Sequence, residues 1–130
     1  MSEKFTIEII TPDQAILKSE ASEVTIPSYE GQMGILKDHI PLITFLRPGI
    51  ISIKTGQDQI RYYVEEGTVE FSNNNLLILT STAKNLVNLD KRSVGDLIKE
   101  AEKKLQNNSL TDKEKYILSY KMSSLKEINQ

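Results

Sequence analysis

Residues Ile50–Thr80 read IISIKTGQDQIRYYVEEGTVEFSNNNLLILT. Ile51 and Ile53 alternate with Ser52 and Lys54, and Ile60, Tyr62 and Val64 share one side of the run Gln59–Glu65. Thr68–Ser72 and Leu76–Thr80 follow, and the segments are separated by Thr55-Gly56-Gln57-Asp58, by Glu66-Gly67 and by Asn73-Asn74-Asn75. Side chains change face at every strand residue, so this alternation marks half-buried strands. Short strands with turn signals every roughly eight to twelve residues predict an antiparallel sandwich or flattened barrel.

The same pattern continues upstream. Phe5, Ile7 and Ile9 alternate with Thr6 and Glu8 until Thr11-Pro12-Asp13 stops the run; Gln14–Ser19 and Glu23–Pro27 read as two more strands. The following stretch, Glu30–Gly49 (EGQMGILKDHIPLITFLRPG), differs in character. It holds Gly31, Gly34, Pro41, Pro48 and the only histidine of the chain, His39. Glycines open backbone angles closed to other residues, and each proline fixes its own φ and extends its predecessor. The expectation is a glycine-shaped loop with a brief strand at Met33–Leu36, an apolar segment Pro41–Leu46, and a turn at Arg47-Pro48-Gly49.

Near residue 88 the period changes. Val94, Leu97, Ile98, Ala101 and Leu105 recur at helical steps, with Asp90 placed as N-cap. Asn107-Asn108-Ser109 is expected to end this helix through a left-handed asparagine. Thr111 and Glu114 match a capping box that opens a second helix, with Leu118, Met122, Leu125 and Ile128 on one face. Ala101, Ser119 and Ser123 are small enough for close approach of the two helices. The organisation is therefore α+β: an N-terminal antiparallel β-sandwich of about ten short strands over residues 1–88, then a C-terminal antiparallel two-helix hairpin over 89–130. The apolar faces of the hairpin are narrow, so it needs a surface to pack on and is a candidate moving element.

Composition excludes several classes. The chain has no Cys and one His, which removes disulfides, thiolate chemistry and an ordinary structural zinc site. Residues 1–88 carry 7 basic against 11 acidic side chains, net −4, and residues 89–130 carry 9 against 7, net +2. Neither half has the basic excess of a nucleic-acid binder. No apolar run at the N-terminus suits a signal peptide, so the protein is expected in the cytoplasm, reaching a membrane only through a partner.

Catalytic chemistry finds little to use. His39 is the only side chain for acid–base work near neutrality, and Asp38 beside it points the other way in an extended segment. No nucleophile elbow, P-loop, HExxH or calcium-loop spacing occurs. Gly31 and Gly34 lack the following helix that an anion site requires. Two readings remain from the residues alone: a tight turn between strands, or an exposed loop presenting Tyr29, Glu30, Gln32 and Met33 to another protein.

The segment IPSYEGQMGILKDHIPLITFLRPG resembles the signature region of the epsilon subunit of F-type rotary ATP synthases. Gly31, Gly34, His39, Pro41, Leu42, Pro48 and Gly49 carry the resemblance, which continues through Glu66-Gly67-Thr68-Val69-Glu70 and Leu89-Asp90. It implies a ten-stranded sandwich with a helical hairpin, acting as a non-catalytic central-stalk subunit at the cytoplasmic face of the cell membrane. The implied partners are the gamma subunit, met by a flat apolar sandwich face, and the c-ring, met by Tyr29, Glu30, Gly31, Gln32 and Met33 with His39 in the adjoining segment. The hairpin is implied to fold on the sandwich or to extend into the alpha/beta catalytic head and inhibit hydrolysis. Some members bind regulatory ATP through I/L-D-x-x-R-A. Here Leu89 and Asp90 fit, but Ser93 and Val94 stand at the arginine and alanine positions, and Arg92 lies one residue early, about 100° round the helix. The second helix has lysines but no arginine, and so no planar fork for phosphate. No cofactor is expected. A free-standing β-sandwich binding module with a helical lid is the alternative.

Overall fold

The computed structural model describes residues 3–129. Ten strands are formed: β1 (Phe5–Ile10), β2 (Ala15–Ala21), β3 (Glu23–Ser28), β4 (Gly31–Leu36), β5 (Leu42–Leu46), β6 (Gly49–Thr55), β7 (Asp58–Val64), β8 (Gly67–Ser72), β9 (Asn75–Thr80) and β10 (Ala83–Asn85). A single 3-10 turn at Leu86–Asn88 leads to helices α1 (Lys91–Leu105) and α2 (Asp112–Ile128). Hydrogen bonding links the strands in the order β10-β7-β6-β3-β5-β8-β9-β1-β2, with β4 on the other edge of β3.

Only Ser28 and Leu46 pair β3 with β5, so the order folds there into two layers. The β2 edge is tied back to the end of β6, where Ser22 N donates to Lys54 O (2.7 Å) and Thr55 Oγ1 donates to Glu20 O (3.0 Å). The result is a sandwich closed almost to a barrel. One pairing departs from the antiparallel expectation: β1 runs parallel to β9, Ile7 beside Leu76 and Ile9 beside Ile78. Alternation along a single strand carries no information about the direction of its neighbour.

The inward positions of both layers form one mainly aliphatic core that includes Ile7, Ile9, Val24, Ile26, Ile35, Ile51, Ile53, Val64, Val69, Phe71, Leu76 and Ile78. The expected turns form as their residues demand. Asn73 and Asn74 take φ of 51° and 59°, giving the two-residue hairpin between Ser72 and Asn75 that matches the right-handed twist of paired strands. Gly56 (φ 64°) supplies the single positive φ of the two-residue turn between Thr55 and Asp58 that joins β6 to β7.

The glycine segment is more regular than expected. β4 begins at Gly31 and pairs with β3 along its whole length, from Ser28–Gly31 to Glu23–Leu36. Gly31 has φ 118°, whereas Gly34 lies in extended strand with open space where a Cβ would stand. The two glycines therefore have different duties. Gly31→Ala is expected to destabilise the fold by about 1 kcal/mol or more through backbone strain, and Gly34→Ala to stay within about 0.5 kcal/mol. Paired thermal melts of the two variants check this.

Outside the core lies a second cluster, in which Tyr63, Val94 and Leu125 are buried together with parts of Leu86, Leu89, Leu97, Ile98 and Ile128. β7 thus has Tyr62, Tyr63 and Val64 all buried: Tyr62 and Val64 face the sandwich core, and Tyr63 faces the hairpin. The caps form as expected, Asp90 Oδ1 accepting from Ser93 N (2.7 Å) and Thr111 with Glu114 completing a reciprocal box. The α1 terminus differs. Gln106 caps it in right-handed geometry, and Asn107 works through its side chain, which accepts from Ser109 N. Of the small residues on α2, Ser119 and Ser123 are exposed. Ser124 is the buried one, its hydroxyl directed at Tyr120 O (2.8 Å) and Pro48 O (3.3 Å).

Tyr63 gives the second cluster a pH dependence. Burial pushes its phenol well above the ordinary value of 10.0, and the Glu65 carboxylate beside it adds to the shift. A group whose pKa is raised by folding stabilises the fold below its unfolded pKa and loses that contribution as pH rises, because the unfolded phenol ionises first. Stability is expected to decline above pH about 10, and less steeply in Tyr63→Phe, which denaturant titrations at pH 8 and 10.5 would compare.

Candidate partner-binding surfaces

The structure separates the predicted docking residues. Tyr29 and Glu30 form the exposed turn between β3 and β4, tied down by Ser28, whose hydroxyl donates to Gly31 O (2.7 Å) and accepts from Glu30 N (3.2 Å). Gln32 is exposed, while Met33 is half-buried against the core. His39 stands beyond the other end of β4, about 20 Å away at the usual strand rise. It shares that end with the β8–β9 turn. Asp38 takes φ 67° and exchanges two hydrogen bonds with Asn74, at 2.7 and 2.9 Å. The His39 ring meets Phe71 edge-on, and its Nδ1 lies 2.7 Å from Ile40 O. His39 therefore cannot share an end-on contact with Tyr29 and Glu30, because the whole of β4 stands between them.

The outward side of the β5-β8-β9-β1 layer supplies a surface that alternation could not reveal. Ile43 and Phe45 on β5 are 76% and 61% exposed, and Leu79 on β9 is 44% exposed. Leu79 sits beside Ile10 of β1 and Thr68 of β8, and Leu77 beside Glu8 and Glu70. β5 (LITFL) and β9 (NLLILT) carry large apolar side chains on both faces. Thr68 and Glu70 of β8 lie between the two strands, so the face is apolar on β5 and β9 with a polar strip between them; large exposed apolar side chains grouped in this way mark a binding surface in a folded protein. At its Tyr29 end it deepens into a groove of about 900 Å³ whose walls include Ile10, Pro12, Tyr29, Phe45, Leu79 and Lys113.

Asp90 and Arg92, the positions nearest the nucleotide pattern, do not converge on a site. The Asp90 carboxylate is engaged as the α1 cap, and the Ser93 N–H holds its pKa below the ordinary value. Arg92 is exposed on the first turn. Among the described residues no group of three His, Cys, Asp or Glu side chains could hold a metal ion, and no helix is long and apolar enough to cross a membrane.

Residues 4–86 match the family model of the ATP synthase delta/epsilon chain β-sandwich domain. The chain belongs to this family. Its likeness to ATP synthase epsilon chains extends beyond the sandwich. The epsilon chain of Pelagibacter ubique (strain HTCC1062) is 48% identical over 132 residues, covering 99% of this chain and 100% of that one. The epsilon chain of Gloeothece citriformis (strain PCC 7424) is 36% identical over 113 residues, covering 86% and 82%. In fold, the chain is similar to one in the cryo-EM structure of the Euglena gracilis mitochondrial ATP synthase OSCP/F1/c-ring assembly, with a TM-score of 0.81 at 22% identity over 98% of this chain and 82% of that chain. A chain of the Tetrahymena thermophila central stalk and c-ring structure gives 0.64 at 16% identity, covering 96% of each. Both helices fall within the regions of likeness, so the hairpin belongs to the shared architecture.

Proposed function

We propose that this epsilon chain is a non-catalytic rotor subunit of a proton-translocating F-type ATP synthase, held at the cytoplasmic face of the membrane by its partners. In this reading the outer side of the β5-β8-β9-β1 layer, around Ile43, Phe45 and Leu79, seats the gamma subunit, and the β3–β4 turn at Tyr29 and Glu30, with Gln32 of β4 beside it, faces the c-ring. The carrying observation is the exposed apolar patch of Ile43, Phe45 and Leu79 on an otherwise ordinary soluble sandwich. His39, at the far end, keeps its imidazole and backbone N–H on local backbone carbonyls and has a packing role. Asp90 acts as a helix cap and not as a nucleotide ligand. Titrating the intact chain into purified gamma subunit tests the reading: a stable one-to-one complex is expected, and a folded chain that does not associate with gamma overturns it.

Residues 1–88 and 89–130 are, in the same reading, separable units: a docking sandwich and a hairpin that restrains ATP hydrolysis. Supporting this, the sandwich core contains no hairpin residue, and the hairpin packs on the outside of the sandwich, through the second cluster at Tyr63 and through contacts of α2 with Tyr29, Arg47, Pro48 and Glu65. Deletion of 89–130 is expected to leave a sandwich that unfolds cooperatively and still binds gamma, while ATP hydrolysis by the assembled complex rises. Unchanged hydrolysis would remove the regulatory role and leave the docking role in place.

A further inference from the structure

Three aromatic rings and one guanidinium form a continuous ladder between the sandwich and α2. The Tyr29 and Tyr116 rings are stacked, 5.7 Å between centroids and 14° between planes; Tyr116 meets Tyr120 at 4.7 Å; Arg47 lies 3.8 Å above the Tyr120 ring. Tyr116 and Tyr120 are four residues apart and so share one face of α2. The two sandwich ends of the ladder are braced together, since Arg47 N donates to Pro27 O (3.1 Å), two residues before Tyr29. The buried Nε of Arg47 has no hydrogen-bond partner, so the guanidinium is compensated by the Tyr120 π face.

The ladder matters because the first half of α2 has little else to hold it on the sandwich. No residue from Asp112 to Ser123 is buried; the buried positions, Ser124 and Leu125, belong to the last turns. The remaining tie is the Lys121–Glu65 ion pair at 3.0 Å. Tyr29 meanwhile faces two ways. Its ring stacks on Tyr116 and also lines the groove at the end of the apolar patch, where Lys113 of α2 forms part of the wall.

We infer that the Tyr29–Tyr116–Tyr120–Arg47 ladder is a latch that holds α2 against the sandwich and couples the hairpin to occupation of the adjoining groove. The groove has its full wall only while α2 is docked. A partner seated in it therefore binds the docked form more tightly, and docking and binding strengthen each other by the same factor. The coupling, though not the latch, rests on the assignment of this face to the gamma subunit.

Hydrogen exchange of the intact chain tests the latch without any partner. Tyr116→Leu removes the ring yet improves helix propensity, so faster exchange cannot come from a weaker helix. It is expected to speed exchange of α2 amides between 115 and 121 about fivefold, the scale of one lost aromatic pair, with sandwich amides unchanged. Tyr29→Leu, more than eighty residues away in sequence, should do the same, and Tyr29→Phe should match the wild type. Unchanged α2 exchange in both leucine variants overturns the latch. Gamma titrated against Tyr116→Leu tests the coupling: severalfold weaker binding is expected, and unaltered affinity overturns it. Failure of the wild-type chain to bind gamma would instead overturn the partner assignment, leaving the exchange result to decide the latch.

Discussion

Replacing Ile43 and Phe45 together by aspartate is expected to weaken gamma binding at least about a hundredfold while leaving the sandwich folded. Each large apolar side chain transferred from water into an interface contributes about 1.5–3 kcal/mol, and about 1.4 kcal/mol is a factor of ten in affinity. Loss of two such groups therefore accounts for the effect before electrostatics is considered. Aspartate at position 43 also stands across from Glu70, and aspartate at 45 across from Thr68, adding negative charge to a surface that must desolvate. Because both side chains are already mostly exposed, the folded state loses little packing. Calorimetric titration reads the affinity and a thermal melt reads the fold. Wild-type affinity in a folded double variant would show that gamma uses another face.

Gly67→Ala is expected to cost about 3 kcal/mol or more, lowering the melting temperature by about 10 °C or more in a chain of this size. A Cβ at position 67 would overlap the Leu79 carbonyl oxygen and lie 3.0 Å from Thr80 Cα. The neighbouring backbone cannot retreat, because β9 is paired on both sides, with β8 and with β1, and Gly67 also pairs with Leu46. Thr80 sits at the same place, its hydroxyl directed at the carbonyl of Glu66. A side chain at 67 thus forces apart the strands that support the Tyr29 end of the apolar face, and gamma affinity should fall with stability. Scanning calorimetry on Gly67→Ala beside Gly34→Ala separates the two glycines: a small equal shift in both would remove the steric account.

Local chemistry is what the one-dimensional chain records. Ile51, Ile53, Ile60, Tyr62 and Val64 declare their faces by alternation, Asn73-Asn74 declares a hairpin, and Asp90, Thr111 and Glu114 declare two helix starts. Each depends on neighbours within four residues, and each forms as the residues require. The glycine, histidine and proline pattern of residues 26–49 identified the family, because few sequences place those residues at those spacings.

What depended on distant residues was not legible. β10 has three residues and is held only by Val64, Tyr63 and Tyr62 of β7, so nothing in Ala83-Lys84-Asn85 announces it. Gly31 and Gly34 look alike in sequence, and only the pairing of β3 with β4 shows that one needs a positive φ and the other does not. The same strand, which starts at Gly31 and not at Met33, sets His39 apart from Tyr29, although the resemblance put it in the segment adjoining that loop. Nothing in the sequence separates Ile43, Phe45 and Leu79 from the buried apolar residues beside them until the two layers close and leave them outside. Tyr29, Tyr116, Tyr120 and Arg47 meet only because the hairpin folds back over the β5–β6 turn. Periodicity and capping are properties of short segments, and the sequence determined those; which faces meet, and which apolar side chains are left over for a partner, is settled only when the segments pack.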